Sequence, residues 1–272
     1  MATSDKAPGP VGATIPRTER RWALVTGATG GLGAAFARWL VAHDMNLVIT
    51  GRDTMRLASL TTELESSGAQ VISLPVDLAD REARAGLVTD LTAKQVHVDT
   101  LVNNAGFGII GDVGDTDPGR LRGMLEVNVV ALTDLTRSFL PAMLDAGQGS
   151  IINVASTASF QPIPGMAAYA ASKAYVRSFS TALSDETRGT GVRVIAINPG
   201  PTESGFFSVA GDDTTLTRRR RPEQVVETTF AALAKGHPSI VDGPSNAVMA
   251  MANRFVPTSL SARIAARMLG RR

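Results

Sequence analysis

Residues 22 to 44 constrain the fold more than any other stretch. WALVT (22–26) is a short apolar run of strand type, GATGGLG follows it, and AAFARWLVAHD then repeats its apolar residues at helical spacing. A strand feeding a helix through a glycine-rich turn sets open backbone beside the helix's unpaired amide groups, which attract negative charge. Gly27, Gly31 and Gly33, with Thr29 and Leu32 among them, are the residues expected to cradle a pyrophosphate.

The same strand-then-helix alternation continues. NLVIT (46–50), QVISLPVDL (70–78), DTLVNNAG (99–106), SIINVAS (150–156), VRVIAIN (192–198) and SIVDG (239–243) read as further strands, with helical segments between most of them. This predicts an α/β fold: a single Rossmann-type doubly wound domain, a parallel sheet of about seven strands with helices on both faces. The chain of 272 residues fits one such domain. Residues 1–20 hold Pro, Gly, Ser and Thr without an apolar run and read as a flexible tail before a domain spanning 21–272.

Composition excludes several functions. A net charge of +2 gives no case for nucleic acid, and no run approaches the roughly 20 apolar residues of a spanning helix. Without cysteine there are no disulfides or thiolate sites, and His43, His97 and His237 have no spacing that suits a metal or a serine hydrolase. The expected location is the cytoplasm.

A second stretch carries the chemistry. Ser156 ends a strand, and Tyr169 and Lys173 stand four residues apart at the start of a helix, where i and i+4 share a face. An ammonium beside a phenol is expected to favour the phenolate and lower a pKa near 10. Tyr169 would then exchange a proton with a carbonyl or alcohol oxygen that the Ser156 hydroxyl holds.

TGATGGLG (26–33), NNAG (103–106), the serine thirteen residues before the tyrosine, and YAASK (169–173) occur in this order, and together they resemble the short-chain dehydrogenase/reductase family. The resemblance covers about residues 22 to 202. It implies hydride transfer between a nicotinamide and a carbonyl or alcohol carbon. Asn128, Ser156, Tyr169 and Lys173 would form the catalytic set, with Asn128 holding a water through which Lys173 passes protons. Tyr169 and Lys173 would also touch the cofactor, Lys173 at the nicotinamide ribose. Asp77 and Leu78 would lie by the adenine, Asn104, Ala105 and Gly106 along the cofactor, Pro199 and Gly200 against the nicotinamide face, and Thr202 at its carboxamide. Asn103 would tie adjacent strands together.

Two of these positions also have plainer readings. Asn128 lies on the apolar stripe of a helix expected over 120–144 and would equally serve as a hydrogen-bonded core amide; Asp77 would equally cap a helix. Gly51 stands where an acid selective for NAD is expected, and Arg52 follows it, so NADP(H) is the preferred cofactor. The alternative is NAD(H) with Asp53 at the ribose.

Residues 203–222 are the expected substrate lid, and Phe107, Ile109, Ile110, Phe160, Ile163 and Met166 the expected apolar walls for a ketone or aldehyde. Arg218 to Arg221 read first as a solvated run before a helix near Pro222, with an anionic substrate head or an anionic membrane surface as the alternatives. Residues 244–272 form an extension whose last helix sets Leu260, Ile264 and Met268 on one face, with Arg263, Arg267 and Arg271 roughly opposite. Packing on its own domain is the first expectation for it, with covering the substrate site, subunit contact or peripheral membrane contact as alternatives. The expected assembly is a homodimer or homotetramer, and the alternative function a catalytically silent NADP(H)-binding sensor.

Overall fold

The computed structural model describes residues 20–203 and 219–268. Seven parallel strands form one sheet: β1 (Trp22–Thr26), β2 (Asn46–Gly51), β3 (Val71–Pro75), β4 (Val98–Asn103), β5 (Gly149–Val154), β6 (Val192–Asn198) and β7 (Ser239–Val241), in the order β3-β2-β1-β4-β5-β6-β7. The expected architecture is the observed one.

Helices cover both faces. They are α1 (Gly31–Ala42), α2 (Thr54–Glu65), α3 (Arg81–Ala93), α4 (Pro118–Leu125), α5 (Leu132–Asp145), α6 (Ala167–Glu186), α7 (Pro222–Ala234), α8 (Pro244–Ala252) and α9 (Thr258–Met268). The strands supply both cores by alternation: Ala23 and Val25 of β1 join Phe36, Leu40 and Leu57 on one side. Leu24 joins Leu87, Leu91 and Leu135 on the other. Each such leucine, fully buried, contributes about 1.5–3 kcal/mol. Helix starts follow local chemistry. Asp53, Asp80 and Asp117 cap α2, α3 and α4 through their carboxylates, and Pro222 opens α7.

The helix expected over 120–144 is present as one continuous helical run, but it is not α throughout. Between α4 and α5 the chain runs through a π-helical segment, Glu126–Ala131. Apolar spacing of three and four residues persists across the extra residue, so the sequence does not reveal this widening. It places Asn128 in the interior.

The chain order reverses at β1, which has β2 on one side and β4 on the other. A doubly wound sheet opens a crevice at such a point, beyond the carboxyl ends of its strands. The segments after β1, β4, β5 and β6 all reach this edge.

Candidate active site

A cavity of about 1030 Å³ occupies the crevice. Every residue expected in the catalytic set or at the cofactor lines it except Asn128. The glycine turn forms one end. Gly27 adopts φ +63°, a conformation that side chains disfavour, and a Cβ there would stand 2.8 Å from Ala105 Cα. A Cβ on Gly33 would run into Gly27 O and stand 2.7 Å from Asn104 Nδ2. Asn104 accounts for that crowding, since its amide donates to Thr26 O (2.9 Å) and Gly27 O (3.1 Å) and so locks the turn onto β4. Gly30, the N-cap of α1, offers no side-chain cap, which leaves the first amides of the helix available to an anion. These features fit a dinucleotide phosphate.

The segment after β2 discriminates between Arg52 and Asp53. Asp53 is engaged as a cap: its carboxylate accepts from Arg56 N at 3.0 Å and pairs with the Arg56 side chain at 3.3 Å. Arg52 is exposed on the cavity rim. At Gly51 a Cβ would meet Thr29 Oγ1 at 3.0 Å, so an acid there would have to displace Thr29. Asp77 does not cap α3, a task that falls to Asp80; instead its carboxylate accepts from Ala79 N at 3.0 Å. The neighbouring Leu78 carbonyl is anchored by buried Arg84 at 2.6 Å, and Arg84 is also paired with Asp134 at 3.0 Å.

Beyond β5, Ser156 starts a short 3-10 turn (Thr157–Phe160), with its Oγ accepting from Ala158 N at 3.1 Å. The Ser156 hydroxyl lies close enough to that of Tyr169 to influence its titration. Lys173 is buried, donates to Val154 O at 2.8 Å, and holds its Nζ 6.0 Å from the Tyr169 ring centre.

The expected acidified phenol is not what this site holds. Burial pushes the Tyr169 hydroxyl up to about 12, with the Ser156 hydroxyl a smaller opposing influence. Burial also pushes the Lys173 ammonium down to about 8. Spacing places both groups on one helix face but says nothing of desolvation, which disfavours either charged form.

Asn128 sits behind the cavity wall. Its amide donates to Phe107 O (3.0 Å) and Ser172 Oγ (3.1 Å), and its Oδ1 accepts from Phe107 N (3.1 Å). It thus fulfils the plainer expectation of a hydrogen-bonded core amide, and it joins the loop after β4 to α6. A Cβ on Gly106 would lie 2.9 Å from Asn128 Oδ1 and 3.3 Å from Lys173 Nζ, so glycine there lets these groups converge. Asn103 links β4 to β5 and α5 through Asn153 (2.9 Å) and Thr136 (3.1 Å).

Past β6, Pro199, Gly200 and Thr202 follow one wall, with Thr202 Oγ1 donating to Gly200 O at 2.9 Å. Of the expected apolar walls, Phe107, Ile163 and Met166 face the cavity. Ile109, Ile110 and Phe160 do not. Ile109 packs in a small core with Met124 and Tyr169, and Phe160 lies under the Arg177 guanidinium at 4.4 Å.

The arginine run also differs from expectation. Arg218 and most of the expected lid lie outside the described residues. Arg219 and Arg220 line the cavity, and Arg220 pairs at 2.5 Å with the fully buried Asp242, so these two are not a solvated run. Four like charges in sequence suggest solvent; the counter-charge, twenty-two residues later, is visible only in three dimensions.

The C-terminal extension supplies the far wall, in line with the alternative that it covers the substrate site, but sequence reasoning named none of the residues involved. Asn246, Met249 and Ala250 from α8, Asn253 just after it, and Ala265 from α9 line the cavity. No motif marks them.

The family model for short chain dehydrogenase matches residues 21–214. The chain belongs to that family. It is accordingly an NAD(P)-dependent dehydrogenase or reductase acting on carbonyl and alcohol groups. A sulfoacetaldehyde reductase of Chromohalobacter salexigens is 37% identical over 188 residues, covering 68% of this chain and 74% of the relative. An NADP-dependent 3-hydroxy acid dehydrogenase of Salmonella typhi is 35% identical over 217 residues, covering 76% and 86%. A short-chain dehydrogenase from Sphingobium yanoikuyae, solved with NADPH, superposes with a TM-score of 0.80 at 28% identity over 88% of this chain and 94% of that one.

Proposed function

We propose that the protein is an NADP(H)-dependent oxidoreductase that reduces a mainly apolar ketone or aldehyde, or oxidises the matching alcohol, in the cytoplasm. The observation that carries this reading is one continuous cavity, with the glycine cradle at one end and the Ser156, Tyr169 and Lys173 side chains opening on it. When bound, the nicotinamide supplies or takes the hydride. Gly27, Thr29, Gly31, Leu32 and Gly33 would hold its phosphates, and Arg52 the 2′-phosphate of the adenosine ribose. NADP dependence of the 3-hydroxy acid dehydrogenase and the NADPH in the Sphingobium structure support that choice.

The protein's own part is the proton. With its hydroxyl held up near about 12, Tyr169 is protonated at neutral pH, the state a carbonyl reduction requires. Ser156, beside that hydroxyl at the cavity wall, fixes the substrate oxygen next to it. Lys173, with its pKa brought to about 8, exchanges a proton near neutrality and can restore the phenol. Asn128 is a positioning residue, holding the Phe107 backbone and Ser172 while Lys173 acts. Phe107, Ile163, Met166 and Met249 give the substrate end its apolar character. For the homo-oligomer, exposed Leu125, Val130 and Tyr175, grouped around α6, offer a patch for a second copy.

A panel of steroid, acyl and aromatic carbonyls, assayed by loss of NADPH absorbance, tests the reading. The expected result is turnover with at least one member and a loss of about 10²–10⁴-fold in Tyr169→Phe with NADPH affinity kept. Tight NADPH binding without turnover across the panel would overturn it.

A further inference from the structure

From Pro244 to Arg272 the sequence holds five arginines and no aspartate or glutamate. The two helices of this extension pack on the domain through small side chains. α8 buries only Ala250, and α9 buries Ser261 and Ala265. Several large apolar side chains here point outward: Val248 is 70% exposed, Met251 64%, Phe255, in the short turn between the two helices, 84%, Leu260 48% and Ile264 45%. Arg263 and Arg267 are exposed as well. They are not opposite the apolar residues, as the sequence suggested. Positions 260, 263, 264 and 267 are three or four apart and form one face, so guanidinium groups and aliphatic side chains alternate on the outer surface of α9.

We infer that this outer face of α8 and α9 is a docking surface for an anionic lipid membrane. The apolar side chains would enter the boundary between headgroups and acyl chains, while the arginine stems lie alongside and their guanidinium groups stay at the level of the lipid phosphates. A second copy of this chain fits the face poorly. An isologous contact brings a surface against itself, which would press the Arg263 and Arg267 of two subunits together with no carboxylate in the extension to offset them. The same two helices contribute Met249, Ala250 and Ala265 to the cavity wall, so the proposed surface backs directly onto the cavity. The inference stands on exposure and charge, independently of the proposed chemistry.

Co-sedimentation of the full-length protein with vesicles of phosphatidylcholine, with and without phosphatidylglycerol, tests it. The expected result is at least about tenfold stronger partition onto the anionic vesicles, declining as salt is raised. The double variants Phe255→Ser/Ile264→Ser and Arg263→Gln/Arg267→Gln should each lose most of that partition while keeping the parent melting temperature and NADPH binding. Three results would overturn the proposal: no preference for anionic vesicles; unchanged partition in both double variants; or sedimentation velocity showing an oligomer that Phe255→Ser/Ile264→Ser dissociates, which would assign the face to a second copy.

Discussion

Helices α6 and α9 are both amphipathic, and they face the protein in opposite senses. α6 turns polar groups inward: Tyr169, Ser172, Lys173 and Ser180 are all buried. Partners inside the domain make this tolerable, since Ser172 donates to Tyr169 O, Lys173 to Val154 O, and Ser180 both donates to Val176 O and accepts from Asn153. α9 turns small residues inward and leaves Leu260 and Ile264 outside. The contrast separates what each helix is for. Buried hydrogen-bonded polar groups on α6 build a reactive site with shifted pKa values, whereas exposed apolar groups on α9 present a surface to something other than water.

The strongest test of α6 is pH. Because burial raises the Tyr169 hydroxyl to about 12, its base form is scarce at neutral pH and grows as pH rises. Alcohol oxidation, which needs that base, should climb by up to about tenfold per unit from about pH 6 upward. Carbonyl reduction, which needs the acid, should stay level until Lys173 loses its proton near about 8. Initial rates in both directions across pH check this, and a flat oxidation profile would show that the inward face of α6 does not govern the chemistry.

Next in size is the cradle that α6 faces. Gly33→Val would drive a side chain into Gly27 O and the Asn104 amide. NADPH affinity, followed by fluorescence titration, should fall by about a hundredfold or more, because overpacking of about 1–3 kcal/mol adds to the lost backbone approach. Arg52→Ser removes one exposed cation from the rim, and at about 1.5–3 kcal/mol for a hydrogen bond to a charged group should weaken NADPH by about 10- to 100-fold while leaving NADH within about twofold. Equal losses for the two cofactors would remove Arg52 from the 2′-phosphate.

The smallest effect belongs to α9. Ile264→Ser should change unfolding free energy by no more than about 0.5 kcal/mol, the range for exposed positions, whereas Leu101→Ala in the fully buried β4 should cost about 2–5 kcal/mol. Denaturant titration of the two variants sharpens the contrast. A large loss for Ile264→Ser would mean that this side chain packs within the protein.

These differences also explain what was readable in advance. Strands β1 to β7 were legible because each couples a short apolar run to a turn, and the glycine cradle because its backbone needs are local. Ser156, Tyr169 and Lys173 were legible as a group because two lie one helical turn apart and the third ends a strand. The direction of the Tyr169 shift was not, because desolvation depends on what packs over the ring. Nor was the π segment at Glu126–Ala131, since one extra residue per turn leaves the apolar rhythm nearly intact. The pairing of Arg220 with Asp242 and the inward face of α9 depend on neighbours distant in sequence, and in α9 hydropathy pointed the wrong way because small residues, not large ones, make the contact.

The central claim is that a carbonyl carbon receives a hydride in this cavity while Tyr169 gives the oxygen its proton. Supplying the enzyme with NADPH deuterated at the transferable position of nicotinamide C4, and analysing the alcohol by mass spectrometry, tests it most directly. The account predicts one deuterium on the carbinol carbon, and about 10²–10⁴-fold slower labelling in Tyr169→Phe. Alcohol without deuterium, or labelling that proceeds unchanged in Tyr169→Phe, would contradict it.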